Sequence, residues 1–309
     1  MLDYTTVIGR YAPSPTGELH LGNLRTAILA WLHARLQGGK FLLRMDDLDQ
    51  PRVVKGSAEQ ILRDLEWLGL NWDGEVVFQS QRTELYQDAL SALTKNELTY
   101  ECFCSRKDIQ QAASAPHISL GVYPGTCRDL DPLTADQKRV NKTPAIRACV
   151  DDTKLQFNDG CLGEFSVNLN TACGDFVVKR ADGLFAYQLA TAVDDLEQGI
   201  TDVVRGADLS DSTARQLYLM QRLQPGFSMP QYWHVPLMLD EKGDRMAKRD
   251  GTSSIAEWRT SGRDALELIG MLAASVNLIK QPLAISLEEL LTEITFDNWL
   301  AQILSLIHI

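Results

Sequence analysis

The sequence predicts an α/β fold: a parallel sheet with crossover helices, interrupted by an insertion and closed by a small helical C-terminal part. Three observations predict it. Short apolar runs alternate with amphipathic segments through roughly the first hundred residues. The stretch 101–173 then changes character and holds all six cysteines among several Pro and Gly. From about residue 255 onward the apolar residues fall at helical spacing, as in "ALELIGMLAASVNLI".

The elements follow in chain order. "TTVIGRY" reads as a strand, "RYAPSPTGELHLGN" as an ordered loop, and residues 21–37 as a helix. "GGK" is a turn before the buried strand "FLLRM". "SAEQILRDLEWLGL" and "RTELYQDALSALTKN" read as helices. Strand, helix, strand in that order is the unit of a parallel sheet. Within the insertion "AIRACV" is strand-like. "GDFVVKRADGLFAYQLATAVDD" reads as a hairpin around Asp182-Gly183 whose second strand leads into a helix. After "ITDVVRGADL" come a helix near 212–223 and the strand "HVPLMLD". The terminal "ILSLIHI", Ile303 to Ile309, is apolar and uncapped, either a buried helix end or an appended tail.

Composition bounds the function. A chain of 309 residues suffices for a sizeable core and two domains. Apolar runs fall short of the ~20 residues a membrane span needs. "MLDYTTVIGR" lacks the basic region and apolar core of a secretory signal, so a cytoplasmic protein is expected. A net charge of −11 opposes non-specific nucleic-acid binding and leaves room only for a local basic face. In a reducing compartment clustered cysteines suggest metal before disulfide, and Cys102, Cys104 and Cys127 are clustered.

The loop Arg10–Asn23 leads into a helix N-terminus, where free backbone N–H groups and the helix dipole suit phosphate. It is neither a GxGxxG nor a Walker A sequence. "PSPTGELHLGN" resembles the HIGH motif of class I aminoacyl-tRNA synthetases, with His20-Leu21-Gly22-Asn23 in the HIGH place. The resemblance implies that His20 meets phosphate oxygens during adenylate formation, that Gly22 lets the nucleotide approach, and that Thr16 and Asn23 complete the ATP site. On its own, H-x-G-x is also what a tight turn with a surface histidine looks like. Downstream, "RMAKR" within "DEKGDRMAKRDGT" stands where that family carries KMSKS. Lys248 matches the second lysine, Arg245 replaces the first, and Ala247 replaces the serine. Such cations meet the triphosphate as pyrophosphate leaves; taken alone, the stretch is a solvated loop of charges.

Two further blocks resemble the glutamyl and glutaminyl branch. "GRYAPSPTG" and "RMDDLDQPR" are close to its RFAPSPTG and RIEDLDPPR. By resemblance Arg10 pairs with a glutamate side chain, Ala12 and Ser14 line its pocket, and Asp46, standing where the branch has Glu, grips the ammonium. Asp46, Asp47 and Asp49 could otherwise hold a magnesium ion. "FAYQLATAVDDLEQGITDVVRGADLSDSTARQ" places Tyr187 and Arg205 at amino-acid-contacting positions on separate strands, with Asp194 and Asp195 starting the supporting loop. Cys102-Phe103-Cys104 with Cys127 supplies three thiolates, and zinc wants a fourth ligand. His117 and Tyr123 are both candidates by position, and three free buried cysteines are the plain alternative. C-x-C…Y-x3-C is similar to the zinc site of the glutamyl-queuosine branch, which implies Tyr123. Cys149, Cys161 and Cys173 show no ligand spacing.

The resemblance therefore implies a Rossmann-like catalytic domain over 1–240, with an insertion at about 101–173 containing a zinc subdomain at 101–130. A KMSKS-like loop and helical stem-contact region would follow over 241–309. About 57 residues follow Thr252, too few for an anticodon-binding region. It further implies a monomer that uses ATP with Mg2+ and one structural Zn2+. Such an enzyme activates glutamate and transfers it to queuosine in the anticodon loop of tRNA(Asp). A short glutamyl-tRNA synthetase acting on tRNA(Glu), a non-catalytic RNA-binding relative and a nucleotidyltransferase making another acyl-adenylate are the alternatives.

Overall fold

The computed structural model describes residues 6–105, 107–109, 122–238 and 255–305. Its elements run β1 (Ile8–Tyr11), α1 (Leu21–Leu36), β2 (Lys40–Met45), α2 (Ser57–Trp67), β3 (Val77–Phe78), α3 (Thr83–Lys95) and β4 (Thr99–Cys102). The insertion follows with α4 (Pro132–Asn141), β5 (Ala145–Ala148), β6 (Lys154–Asp159), β7 (Gly163–Asn168) and α5 (Leu169–Ala172). Then come β8 (Phe176–Lys179), α6 (Tyr187–Glu197), β9 (Asp202–Gly206), α7 (Ser210–Leu223) and β10 (Gln231–Val235). Four helices close the described chain: α8 (Ile255–Thr260), α9 (Ala265–Ala274), α10 (Leu287–Glu293) and α11 (Phe296–Ser305).

The main sheet has the order β3-β2-β1-β9-β10-β6-β7. All its pairings are parallel except β6 with β7. Chain order reverses at β1, with β2 on one side and β9 on the other, and the crevice outside the strand carboxyl ends at such a point is where α/β sheets hold ligands. A second, antiparallel sheet of β4, β5 and β8 carries the cysteine subdomain.

Helix α1 is buried almost all round, with Leu24, Ile28, Leu29 and Leu32 at 1% exposure or less. It packs on the sheet with one side and on the terminal helices with the other: Leu268, Leu272, Leu290, Trp299 and Ile303 share its apolar cluster. The helical C-terminal part thus continues the core of the main sheet. Ile303 is fully buried, which answers the question of the tail's first residue; residues 306–309 lie outside the described chain.

Three expectations need correction. The strand expected at "HVPLMLD" is Gln231–Val235 and stops before Pro236, which has no N–H for a ladder. The hairpin at Asp182-Gly183 forms, with Gly183 at φ +90°, but its return limb is a single bridge, Lys179 with Phe185, before α6 begins. The insertion also contributes to the main sheet, because β6 pairs with β10 and carries β7 to the edge. Periodicity marks strands but does not reveal which sheet they join.

Candidate active site

The loop after β1 is held open by its own backbone. Asp46 N–H donates to Pro13 O at 2.9 Å and Val54 N–H to Pro15 O at 2.9 Å. Ser57 Oγ donates to Gly17 O at 2.7 Å. Gly17 has φ +128°, a value that favours glycine. His20 is the N-cap of α1. Its Nδ1 accepts from Asn23 N–H at 3.3 Å, and Asn23 Oδ1 accepts from His20 N–H at 3.4 Å, a reciprocal capping box. A Cβ at Gly22 would lie 3.2 Å from the His20 ring, so this glycine makes room for the imidazole.

The loop borders a cavity of about 510 Å3 at the carboxyl ends of β1, β2 and β9. Its lining includes every described residue assigned from the sequence to glutamate or ATP: Arg10, Ala12, Ser14, Thr16, His20, Gly22, Asn23, Asp46, Tyr187 and Arg205. Lys242, Arg245, Ala247, Lys248 and Arg249 lie outside the described residues, as does His117. The described chain before that stretch, Leu237 and Met238, borders the same cavity. Tyr187 stands at the first residue of α6 with 37% exposure, a helix start and not the strand expected.

Beneath the cavity lies a buried charge network. Arg10 spans both oxygens of Asp195 at 3.3 Å, so its charge is already shared. Arg44 Nε donates to Asp46 at 2.8 Å, and its Nη1 to Asp195 at 2.7 Å and Gln198 at 3.1 Å. Asp194 accepts from Gln79, Arg82 and Tyr86, each at 2.8 Å. Asp194 and Asp195 lie within α6, not in a loop as expected from sequence; a helix lets adjacent carboxylates reach different neighbours. Burial pushes the Asp46 carboxyl up to about 6 against the pull of Arg44. Burial also raises Asp195, but Arg10 and Arg44 outweigh it and hold its carboxyl below the usual range. Arg44, which sequence reading missed, was signalled by a lone charge in the apolar run "FLLRM".

Arg205 differs from Arg10. Among the described residues its guanidinium donates only to neutral groups: His234 Nε2 at 3.0 Å, Gln216 Oε1 at 2.8 Å, Thr213 Oγ1 at 2.8 Å and Leu209 O at 3.3 Å. A cation without a carboxylate partner on a cavity wall is suited to an anionic ligand. The magnesium alternative does not hold, because the carboxylates are engaged apart. Asp46 faces Arg44, Asp47 accepts from the Ser80 N–H and hydroxyl, and Asp49 lies near Arg180.

The cysteine cluster is a second site, in the insertion. The Sγ atoms of Cys102, Cys104 and Cys127 lie within 4.8 Å of one another, the one such convergence of metal-binding side chains among the described residues. Tyr123 Oη is 3.3 Å from Cys102 Sγ and 3.5 Å from Cys104 Sγ. A tetrahedron of ~2.3 Å metal–sulfur bonds has edges of about 3.8 Å, so these four atoms fit one cation. Burial pushes the Cys104 thiol up to about 11 and the Tyr123 phenol above its ordinary value, so a divalent cation is what would turn them into ligands. Cys149, Cys161 and Cys173 are free and outside this group. No described helix is long and apolar enough to cross a membrane.

Fold, crevice and motif residues together define a class I synthetase core. Residues 6–285 match the family of class I tRNA synthetases (E and Q), catalytic domain, and the chain belongs to that family. Within it, the chain is 48% identical over 275 residues to a Glutamyl-Q tRNA(Asp) synthetase of Nocardia farcinica, covering 89% of this chain and 86% of that protein. It is 46% identical over 295 residues to the Glutamyl-Q tRNA(Asp) synthetase of Symbiobacterium thermophilum, covering 92% and 90%. Among solved structures, a glutamate tRNA ligase from Elizabethkingia meningosepticum in complex with its amino acid superposes with a TM-score of 0.80 at 29% identity. That match covers 95% of this chain but only 66% of the ligase.

Proposed function

We propose that this protein activates glutamate with ATP and transfers it to the queuosine base in the anticodon loop of tRNA(Asp). The carrying observation is the convergence of ten residues, assigned from separate motifs, on one cavity in a chain that matches Glutamyl-Q tRNA(Asp) synthetases over most of their length. The glutamate ammonium lies against Asp46. Its side-chain carboxylate lies between Arg205 and Arg10, with Ala12, Ser14 and Tyr187 closing the pocket. The α-carboxylate oxygen attacks the α-phosphorus of ATP; the bond to the β-phosphate oxygen breaks and pyrophosphate leaves. His20, at the α1 N-terminus, faces the charge that builds on the phosphates, and the KMSKS-like position of Lys248 in the sequence assigns it the same charge-stabilising role. Mg2+ bound with ATP would supply countercharge for the pyrophosphate. A hydroxyl of the queuosine ring then attacks the activated carbonyl carbon and AMP departs with the bonding electrons. Both steps belong in the cytoplasm, with tRNA.

Zinc is the cation proposed for Cys102, Cys104, Tyr123 and Cys127, where it would hold the insertion together away from the chemistry. The second reading is a glutamyl-tRNA synthetase charging tRNA(Glu), favoured by the likeness to the glutamate tRNA ligase. Labelled glutamate, offered with tRNA(Asp) with and without queuosine and with tRNA(Glu), separates the two. The proposal expects label only on queuosine-bearing tRNA(Asp), within the anticodon-loop fragment after cleavage. Label on the terminal adenosine of tRNA(Glu) establishes the second reading.

A further inference from the structure

The Arg205 guanidinium is held by a chain of groups that none of the sequence motifs contains. His234 Nε2 accepts from Arg205 Nε at 3.0 Å, and the other ring nitrogen, Nδ1, faces Asp159 Oδ2 at hydrogen-bond distance. His234 is fully buried and Asp159 is 1% exposed. Because Nε2 must accept, the proton sits on Nδ1 and is donated to Asp159. Burial and the Arg205 charge both hold the imidazole below its ordinary pKa, and Asp159 pulls the other way.

Asp159 is itself fixed. Its Oδ1 accepts from the N–H groups of Cys161 at 2.9 Å, Leu162 at 2.9 Å and His234 at 3.3 Å. The first two bonds form the tight turn between β6 and β7, and the third ties it to β10. Gly160 N–H donates to Tyr232 O at 2.7 Å, and a Cβ on Gly160 would come within 2.1 Å of the Trp233 ring. The turn is therefore pressed onto β10 at the point where its carboxylate meets His234.

We propose that Asp159 and His234 are positioning residues of the amino-acid pocket: Asp159 fixes the Nδ1–H tautomer, and the Nε2 lone pair orients Arg205 without neutralising it, so that the guanidinium keeps its full charge for the side-chain carboxylate of a dicarboxylic amino acid. A carboxylate in direct contact with Arg205 would orient it equally well but would compete with the substrate. Interposing a neutral imidazole separates orientation from charge compensation. The proposal rests on the glutamate-activating reading above.

Asp159→Asn tests it. Three N–H groups demand an oxygen at the Oδ1 position, so the amide nitrogen is forced towards His234. That nitrogen donates, the imidazole must shift its proton to Nε2, and two donors then face each other at Arg205. In ATP–pyrophosphate exchange, the KM for glutamate should rise about 10–100-fold, as expected for a hydrogen bond to a charged group, with kcat changed less and the KM for ATP unchanged. In a His234→Leu background no ring remains to carry the swap to Arg205, so the same Asp159→Asn change should cost less than about threefold. A purely structural role predicts equal costs in both backgrounds. His234→Gln against His234→Leu gives the same test with Asp159 intact, and the Gln variant should keep the lower glutamate KM. An unchanged glutamate KM in Asp159→Asn, equal costs in the two backgrounds, or Gln no better than Leu would overturn the inference. If the wild-type protein gives no exchange with glutamate, the parent reading falls and this one with it.

Discussion

Glutamate binding should depend on pH through Asp46. The carboxyl rises from 3.8 to about 6, chiefly through burial, with Arg44 opposing. Between those two values the folded protein holds this proton more tightly than the unfolded chain does. This one group therefore stabilises the fold as pH falls through that window. Its ionised form at pH 7 costs the ligand-free protein about 3 kcal/mol, at roughly 1.4 kcal/mol per pH unit. An ammonium group against the ionised carboxylate offsets that cost, so glutamate should bind only the ionised form. The dissociation constant should change little from pH 7 towards 6 and weaken about tenfold by pH 5. Titration calorimetry without ATP, in buffers of different ionisation enthalpy, should show most of one proton released per glutamate bound at pH 5.5. Asp46→Asn keeps an oxygen for Arg44, so it should fold, bind glutamate about 10–100-fold more weakly at pH 7, and show no pH dependence over this range. A wild-type constant that is flat from pH 5 to 7, with no proton release, would refute the reasoning.

Other perturbations separate the two sites and the core. The purified protein should carry about one zinc per chain, as one four-ligand site requires. Tyr123→Phe should lower zinc affinity, measured by chelator competition, while keeping the ring under the Arg147 guanidinium, 3.7 Å from its centroid; full zinc retention would dismiss the phenol as a ligand. Lys248→Ala should slow glutamate-dependent ATP–pyrophosphate exchange about 10²–10³-fold with the glutamate KM little changed, and an unaltered rate would reduce "RMAKR" to a surface loop. Trp299, fully buried and packed edge-on to His33 at 4.9 Å, joins α11 to α1. Trp299→Ala should cost about 3–5 kcal/mol in urea unfolding, and a loss below about 1 kcal/mol would show that the terminal helix is dispensable to the core.

Part of the cavity wall was legible in the sequence because three of its charged residues lie at or just after strand ends. Arg10 is the penultimate residue of "VIGRY", Asp46 follows "FLLRM", and Arg205 ends "DVVR". A parallel sheet brings such ends together without further information, so resemblance at separated blocks became proximity in space. The cysteines were legible for a similar reason, since a C-x-C pair needs only one returning segment to close the site. Helix interiors and sheet membership were less legible. Asp194 and Asp195, expected from the resemblance at the start of a loop, are both buried in α6 by arginines from distant elements.

What the sequence withheld was the pairing of charges. Arg10 and Asp195 are 185 residues apart, and His234 and Asp159 are 75 apart. No local pattern links such partners, and a single sequence carries no covariation. Yet the partners decide what the two arginines of the pocket can do. Arg10 meets the cavity already bound to a carboxylate, so a ligand there must share it. Arg205 meets the cavity on neutral supports, so an anion entering the pocket displaces no carboxylate of the described residues from it. Two arginines that look equivalent in the motifs therefore differ in what substitution should do. Loss of Arg10 leaves Asp195 with Arg44 as its remaining arginine partner and disturbs the fold as well as the pocket. Among the described residues, loss of Arg205 strands no acid: it takes the donor from the buried Gln216 Oε1 and removes the cation from the pocket.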